Sequence, residues 1–250
     1  MTGVNKQPRM VLIDLDGTLV DSVPDLSYCV DLMMAQLNMP TRGEAKVRRW
    51  VGNGVERLVQ RALIDDLDGE PDATLYAKAL PIYMALYKEN VSTRSRLYPG
   101  VKDGLHFLRG AGYKLGCITN KAAAFTEPLL KDLGIFDYFQ IVVSGDTLPV
   151  KKPDPLPLLY AARFFKAEPH QALMVGDSIS DVKAARAAGF QVVCVSYGYN
   201  HGQDIRDAHP DAVIDSLAQL SGMLAEAAQG GEGMDTTMSR DGLLNRRWWR

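Results

Sequence analysis

The stretch Val11-Leu12-Ile13-Asp14-Leu15-Asp16-Gly17-Thr18-Leu19-Val20-Asp21-Ser22 sets a short apolar run against two carboxylates spaced i and i+2. The apolar run suits a strand covered on both faces, and Gly17 lets the chain turn and bring backbone close to a ligand. Both acids then fall at the carboxyl end of the strand, where open α/β sheets bind their ligands. The plainer alternative is an ordinary strand followed by an Asp-Gly turn, so the surrounding sequence has to decide.

Outward from this strand, β-type runs recur at 113–118, 140–143, 172–175, 191–195 and 211–214, and Ala172-Leu173-Met174-Val175 again suits a strand buried on both faces. Helix signals fill the intervals: 101–109 places Val101, Leu105 and Leu108 on one side, 122–133 is punctuated by Gly134, and 179–188 ends at Gly189. The alternation predicts an α/β fold with a doubly wound, mostly parallel sheet, a Rossmann-like core. Residues 24–96 break it with four helical patterns, 25–37, 44–50, 55–64 and 73–89, the last carrying Pro81 as an expected kink. The resulting plan is 1–22 for the first strand and its loop, 23–96 for a small inserted helical cap, and 97–228 for the rest of the core. Residues 229–250, with Gly230, Gly231 and Gly233, are expected to form a mobile tail, although the terminal Arg246-Arg247-Trp248-Trp249-Arg250 offers aromatic rings that could dock on a partner or on the chain itself.

Composition narrows the function classes. Hydrophobic residues make up 46% and charged residues 23% of 250, ordinary for a globular protein. A formal net charge of -2 with no basic stripe argues against a nucleic-acid partner. No apolar run approaches a membrane span, and the segment before Asp14 is too short for a secretory signal. Cys29, Cys117 and Cys194 are far apart and odd in number, as expected of buried thiols in a reducing compartment, so the expected location is the cytoplasm. His106, His170, His201 and His209 show no metal-ligand spacing and read as surface or structural residues. Tyr197-Gly198-Tyr199 follows a strand end and reads as a plain loop, with the site mouth as its alternative.

Three further polar groups lie at predicted strand ends or the loops after them: Ile118-Thr119-Asn120, Lys151-Lys152-Pro153, and Val175-Gly176-Asp177-Ser178-Ile179-Ser180-Asp181. Together with Asp14 and Asp16 they resemble, in chain order, the four motifs of the haloacid dehalogenase superfamily, and the pair of acids resembles its phosphatase branch. The resemblance covers everything except the tail. It implies a Mg2+-dependent phosphomonoesterase in which Asp14 is the nucleophile and Asp16 the general acid and base. It also implies a metal held by Asp14, Asp177 and the backbone carbonyl of Asp16, with Asp181 either a direct ligand or a supporting acid. Thr119 and Lys152 would hold and neutralise the transferring phosphoryl group; Lys151 competes with Lys152, which is preferred because it immediately precedes Pro153 as the family's motif lysine does.

Elementary electrostatics explains why such chemistry wants cations. A carboxylate approaching a phosphate meets a repulsion of about 4 kcal/mol per pair of unit charges at about 4 Å and an effective dielectric near 20. Magnesium takes hard oxygen ligands and bridges carboxylates to phosphate oxygens.

In the insertion, Arg48-Arg49-Trp50-Val51-Gly52-Asn53-Gly54-Val55 places two glycines before a helix whose first amides are unpaired, an anion site to which Arg49 could add charge. A helix-to-helix turn using glycine for its freedom is the alternative. The stretch Trp50 to Gly54, with Arg61-Ala62-Leu63, resembles the cap of bacterial 2-phosphoglycolate phosphatases, and Lys152-Pro153-Asp154-Pro155 fits the same subgroup. This implies a small phosphorylated metabolite as partner, hydrolysis of 2-phosphoglycolate to glycolate and phosphate, and substrate contacts from Asn120, Arg49, Gly52, Asn53 and Gly54. Other readings stay open: a phosphatase of another sugar or acid phosphate, a phosphomutase on the same scaffold, or a catalytically silent binding protein. A response-regulator receiver is disfavoured by the motif order and the insertion. The pattern does not separate a monomer from a homodimer.

Overall fold

The computed structural model of the chain describes residues 8–231. Six parallel strands form the main sheet: β1 (Met10–Ile13), β4 (Lys114–Ile118), β5 (Ile141–Val143), β6 (Ala172–Gly176), β7 (Gln191–Val195) and β8 (Ala212–Ile214), in the spatial order β5-β4-β1-β6-β7-β8. β1 is central, pairing Ile13 with Cys117 on one side and with Val175 on the other. The chain builds outward from β1 first toward β5 and then, beyond β6, toward β8. The carboxyl end of β1 is therefore the switch point where such sheets open a ligand crevice.

Alternation along the strands sorts the core into two layers. Val11, Ile13, Leu115, Cys117, Leu173, Val175, Val193 and Val195 join one apolar cluster, whereas Met10, Leu12, Met174, Val192 and Cys194 join the other. The second layer is covered by α7 (Leu156–Phe165) and α8 (Ile179–Ala188); α8 has an N-terminal capping box of Ser178 and Asp181 and stops at Gly189, whose φ of 74° suits glycine. α7 is not among the helices expected from the sequence, although Pro157 stands in its first turn, a position that favours proline. On the first layer lie α5 (Val101–Gly110), α6 (Ala123–Asp132) and α9 (Leu220–Gly231).

Between β1 and β4 the chain makes the four helices expected: α1 (Val23–Gln36), α2 (Glu44–Trp50), α3 (Val55–Ile64) and α4 (Ala73–Glu89). The last continues through Pro81 as one helix. The insertion leaves and rejoins the core through a two-stranded antiparallel ribbon, β2 (Val20–Asp21) with β3 (Arg96–Leu97). Asp25, fully buried at the start of α1, accepts hydrogen bonds from the backbone N–H groups of Arg94 and Ser95 and from the Ser95 hydroxyl, tying the two crossings together. Apolar residues of the insertion belong to the same cluster as the first layer of the sheet.

Cys29, Cys117 and Cys194 are buried and unpaired. Among the described residues no helix is long and apolar enough to cross a membrane. α9 runs to Gly231, past the point where the sequence loses periodicity; the expected mobile tail from 232 onward, including Trp248 and Trp249, lies outside the described residues.

Candidate active site

The acids read from the sequence gather at the carboxyl ends of the central strands. Asp14 follows β1 and Asp177 follows β6, while Asp181 projects back from the first turn of α8. Oxygens of Asp14, Asp177 and Asp181 lie within 4.8 Å of one another. Asp177 is cradled by glycines: a Cβ on Gly17 would come within 2.2 Å of its Oδ2, and one on Gly198 within 2.2 Å of its Cβ. Thr18 Oγ1 donates to its Oδ1 at 3.0 Å, and the Tyr199 N–H donates to its Oδ2. One carboxylate oxygen of Asp181 is used by the capping box, accepting from the Ser178 amide and hydroxyl, and the other accepts from Lys152 Nζ at 2.7 Å.

Lys152 is buried at the centre of this group. Its Nζ lies 2.8 Å from Asp14 Oδ1, 2.7 Å from Asp181 Oδ1 and 2.8 Å from the Ile118 carbonyl, which occupies all three donors of the ammonium. Lys151, the rival in the sequence, is half-exposed, and its ion pair among the described residues is with Glu56, at 3.8 Å.

Asp16 diverges from the cluster. Its carboxylate accepts from Ser22 Oγ and from Lys121 Nζ, at 2.9 Å to Oδ1 and 3.1 Å to Oδ2. Lys121 is buried, with the Tyr87 ring centroid 5.0 Å from its Nζ. It is a site residue that the sequence reading missed; the signal available was a cation two positions past the strand-end hydroxyl of Thr119. Thr119 is buried beside it, its Oγ1 accepting from the Lys121 N–H at 3.2 Å.

The electrostatics are those of acids held too close in a dry place. Burial pushes the Asp14 carboxyl up to about 7; Lys152 pulls it back, and the Asp181 charge adds to the rise. Burial also carries Asp177 well above the usual carboxylate range, with Asp181 and Asp14 adding to it and the Tyr199 N–H and Thr18 opposing. Burial works against the Lys152 charge, but Asp14 and Asp181 outweigh it and hold the ammonium protonated. Once all ionised, the four carboxylates exceed the ammoniums of Lys152 and Lys121 by two negative charges. A buried, all-oxygen set with that excess fits a hard divalent cation.

Above the acids a cavity of about 40 Å³ is lined by Asp14, Asp16, Thr119, Asn120 and Lys121 from the sheet side, and by Leu26, Val51, Gly52, Gly54, Val55 and Leu58 from the insertion. Gly52 and Gly54 have φ values of 129° and 92°, conformations that a side chain would strain. Arg61, itself buried, donates to the Trp50 and Leu67 carbonyls and so braces this loop. Asn120 Nδ2 bridges the two sides, donating to the Gly52 carbonyl at 3.0 Å and the Lys152 carbonyl at 2.9 Å. Asn53 and the exposed Arg49 do not line the cavity; the Arg49 guanidinium lies against Gly202, and its carbonyl meets His201 Nδ1 at 2.8 Å. The Tyr197–Gly198–Tyr199 segment is structural as well as adjacent to the site, for the Tyr199 hydroxyl donates to Asp21 and accepts from the Ser22 N–H at 3.0 Å, fastening the ribbon to the core.

The switch point of this doubly wound sheet thus gathers buried carboxylates and two ammoniums into an acid-and-cation centre. The model of the haloacid dehalogenase-like hydrolases matches residues 8–189, and the chain belongs to that family. A protein named phosphoglycolate phosphatase from Nitrosococcus oceani is 66% identical over 223 residues, covering 89% of this chain and 99% of that one. A protein of the same name from Nitrosospira multiformis is 47% identical, covering 88% and 97%. Among solved structures, one described as a predicted phosphoglycolate phosphatase from Haemophilus somnus superposes with a TM-score of 0.81 at 37% identity, covering 86% of this chain and 97% of that one.

Proposed function

We propose that this chain hydrolyses 2-phosphoglycolate to glycolate and phosphate through a phosphoryl group carried on Asp14. The observation that supports it most is the 66% identity, over nearly the whole length, to a protein bearing the name phosphoglycolate phosphatase, together with the acid cluster described above. In the first half-reaction an Asp14 oxygen attacks phosphorus, the bond from phosphorus to the glycolate oxygen breaks, and Asp16 gives its proton to that oxygen. In the second, water attacks the phosphoaspartate, Asp16 takes its proton, and the Asp14 carboxylate leaves. Lys152 stays against Asp14 throughout and offsets charge on the transferring group, while the Thr119 hydroxyl and neighbouring amides hold its oxygens.

The residues suited to Mg2+ are Asp14, Asp177 and the Asp16 carbonyl. Asp181, whose oxygens are taken by Lys152 and the capping box, acts as the supporting acid. When bound, the cation supplies charge neutralisation between the attacking carboxylate and the phosphate. The buried, unpaired cysteines agree with a reducing compartment such as the cytoplasm.

The test is magnesium-dependent phosphate release across 2-phosphoglycolate, hexose phosphates, glycerol phosphates and nucleoside monophosphates. The reading expects 2-phosphoglycolate to lead in kcat/KM by an order of magnitude or more. A lead by another phosphomonoester would overturn the substrate, and transfer of phosphate to a sugar hydroxyl would indicate a mutase.

A further inference from the structure

The Arg49 region was the expected recognition point for the charge that accompanies the phosphate, yet the cavity is built otherwise. Lys121 is the sole cationic side chain among the described residues that line it. Arg49 is exposed beside Gly202. Lys151 faces a separate depression with Glu56, Phe125 and Asp146. Lys152 has every donor committed to Asp14, Asp181 and the Ile118 carbonyl.

Lys121 differs from Lys152 in what its ammonium has left to give. Among the described residues Asp16 is the one acid it pairs with, at 2.9 Å to Oδ1 and 3.1 Å to Oδ2, and the Tyr87 ring centroid lies 5.0 Å away. An ammonium carries three donors, so one remains beyond the two given to Asp16, and Lys121 is among the residues that line the cavity. The facing wall of Leu26, Val51, Val55 and Leu58 offers no side-chain polar atom, so an anionic substituent entering there has Lys121 as its cation and the first amides of α3 as its further donors. The cavity of about 40 Å³ has room for a small substituent such as a carboxymethyl group.

We propose that Lys121 is the specificity-determining residue: its ammonium receives the carboxylate of a short phosphorylated acid, while Lys152 remains with Asp14 and the phosphoryl group. This rests on the phosphoglycolate reading and deepens it, placing acid recognition on the sheet side of the cavity and not on the insertion. A site built to pair a charged group discriminates strongly against an analogue lacking it, because its own charge would then be left unmatched.

The experiment compares 2-phosphoglycolate with ethyl phosphate, which has the same chain length and no carboxylate, in the wild type, Lys121→Met and Lys121→Gln. The readout is the ratio of the two kcat/KM values, so any loss through Asp16 that is common to both substrates cancels. The wild type is expected to favour 2-phosphoglycolate by at least ~100-fold, and each variant to reduce that ratio at least ~10-fold. The Gln variant keeps a polar group and carries the test if Met at this position prevents folding. A wild-type ratio near one would overturn the phosphoglycolate reading itself. A strong wild-type preference that both variants retain would overturn the role of Lys121 alone.

Discussion

The two walls of the cavity are made from different materials. On the sheet side, Asp14, Asp16 and Lys121 are buried or nearly so, each held by a direct ion pair, with Lys152 behind Asp14. On the insertion side, Val51, Val55 and Leu58 stand beside two glycines, with no charged side chain among the described lining residues. Charge is thus confined to the sheet side, where paired strands fix its position, and the insertion contributes an apolar surface. A wall of the first kind fails abruptly when one atom is moved; a wall of the second kind degrades by degrees.

That contrast can be broken at several points. Asp14→Asn should lower kcat by at least ~10³-fold with the fold intact, checked by steady-state kinetics beside a thermal melt. Because the Asp14 charge is disfavoured by burial, the variant should melt at or above the wild-type temperature without Mg2+. Gly198→Ala touches no reacting atom, yet its new Cβ would stand 2.2 Å from the Cβ of Asp177. A loss of ~10- to 100-fold in apparent Mg2+ affinity, read from activity against metal concentration, is expected. Gly54→Ala, on the other wall, places a Cβ 2.9 Å from Lys151 Nζ at a φ of 92°. It should raise KM by up to ~10-fold and leave kcat within about threefold. If Gly54→Ala proved the more damaging of these two glycine changes, the division between the walls would be wrong.

The acid cluster also sets a pH dependence. The Asp14 carboxyl has a folded value of about 7 against an ordinary value of 3.8, and Asp177 is raised as well. Between those limits the unfolded chain binds fewer protons than the folded one, so these groups lower stability as pH rises from about 4 toward 7. A divalent cation competes with the protons and restores it. The rise in Tm on adding Mg2+ should therefore be larger at pH 8 than at pH 5, and an equal rise at both would contradict the assignment. The smallest effect belongs to Arg49→Ala, which should change kcat/KM for 2-phosphoglycolate by less than about twofold, since that side chain lies outside the cavity.

Much of this was legible along the chain because it is local. The apolar runs mark all six strands of the sheet to within a residue at each end, and Asp14 and Asp177 stand directly after β1 and β6, where position along the sequence and position in the sheet coincide. The insertion's helices were legible for the same reason, through their period and, before α3, the glycines at 52 and 54. What escaped depends on contacts distant in sequence. Lys121 matters because it meets Asp16, 105 residues earlier, and Tyr199 because its hydroxyl reaches Asp21, 178 residues earlier. The ribbon of β2 and β3 has two residues per strand, too few to show a period. Arg49 was placed in the pocket from its nearness to Gly52 in sequence, but α2 ends at Trp50 and turns its side chain toward Gly202 instead.

The central claim is that Asp14 carries the phosphoryl group, and rapid acid quenching of the wild-type enzyme during turnover of 2-phosphoglycolate with Mg2+, followed by peptide mass mapping, tests it most directly. The account predicts a peptide containing Asp14 that gains the mass of one phosphoryl group, absent from Asp14→Asn. A phosphoryl group found on another residue, or full activity in Asp14→Asn, would contradict it.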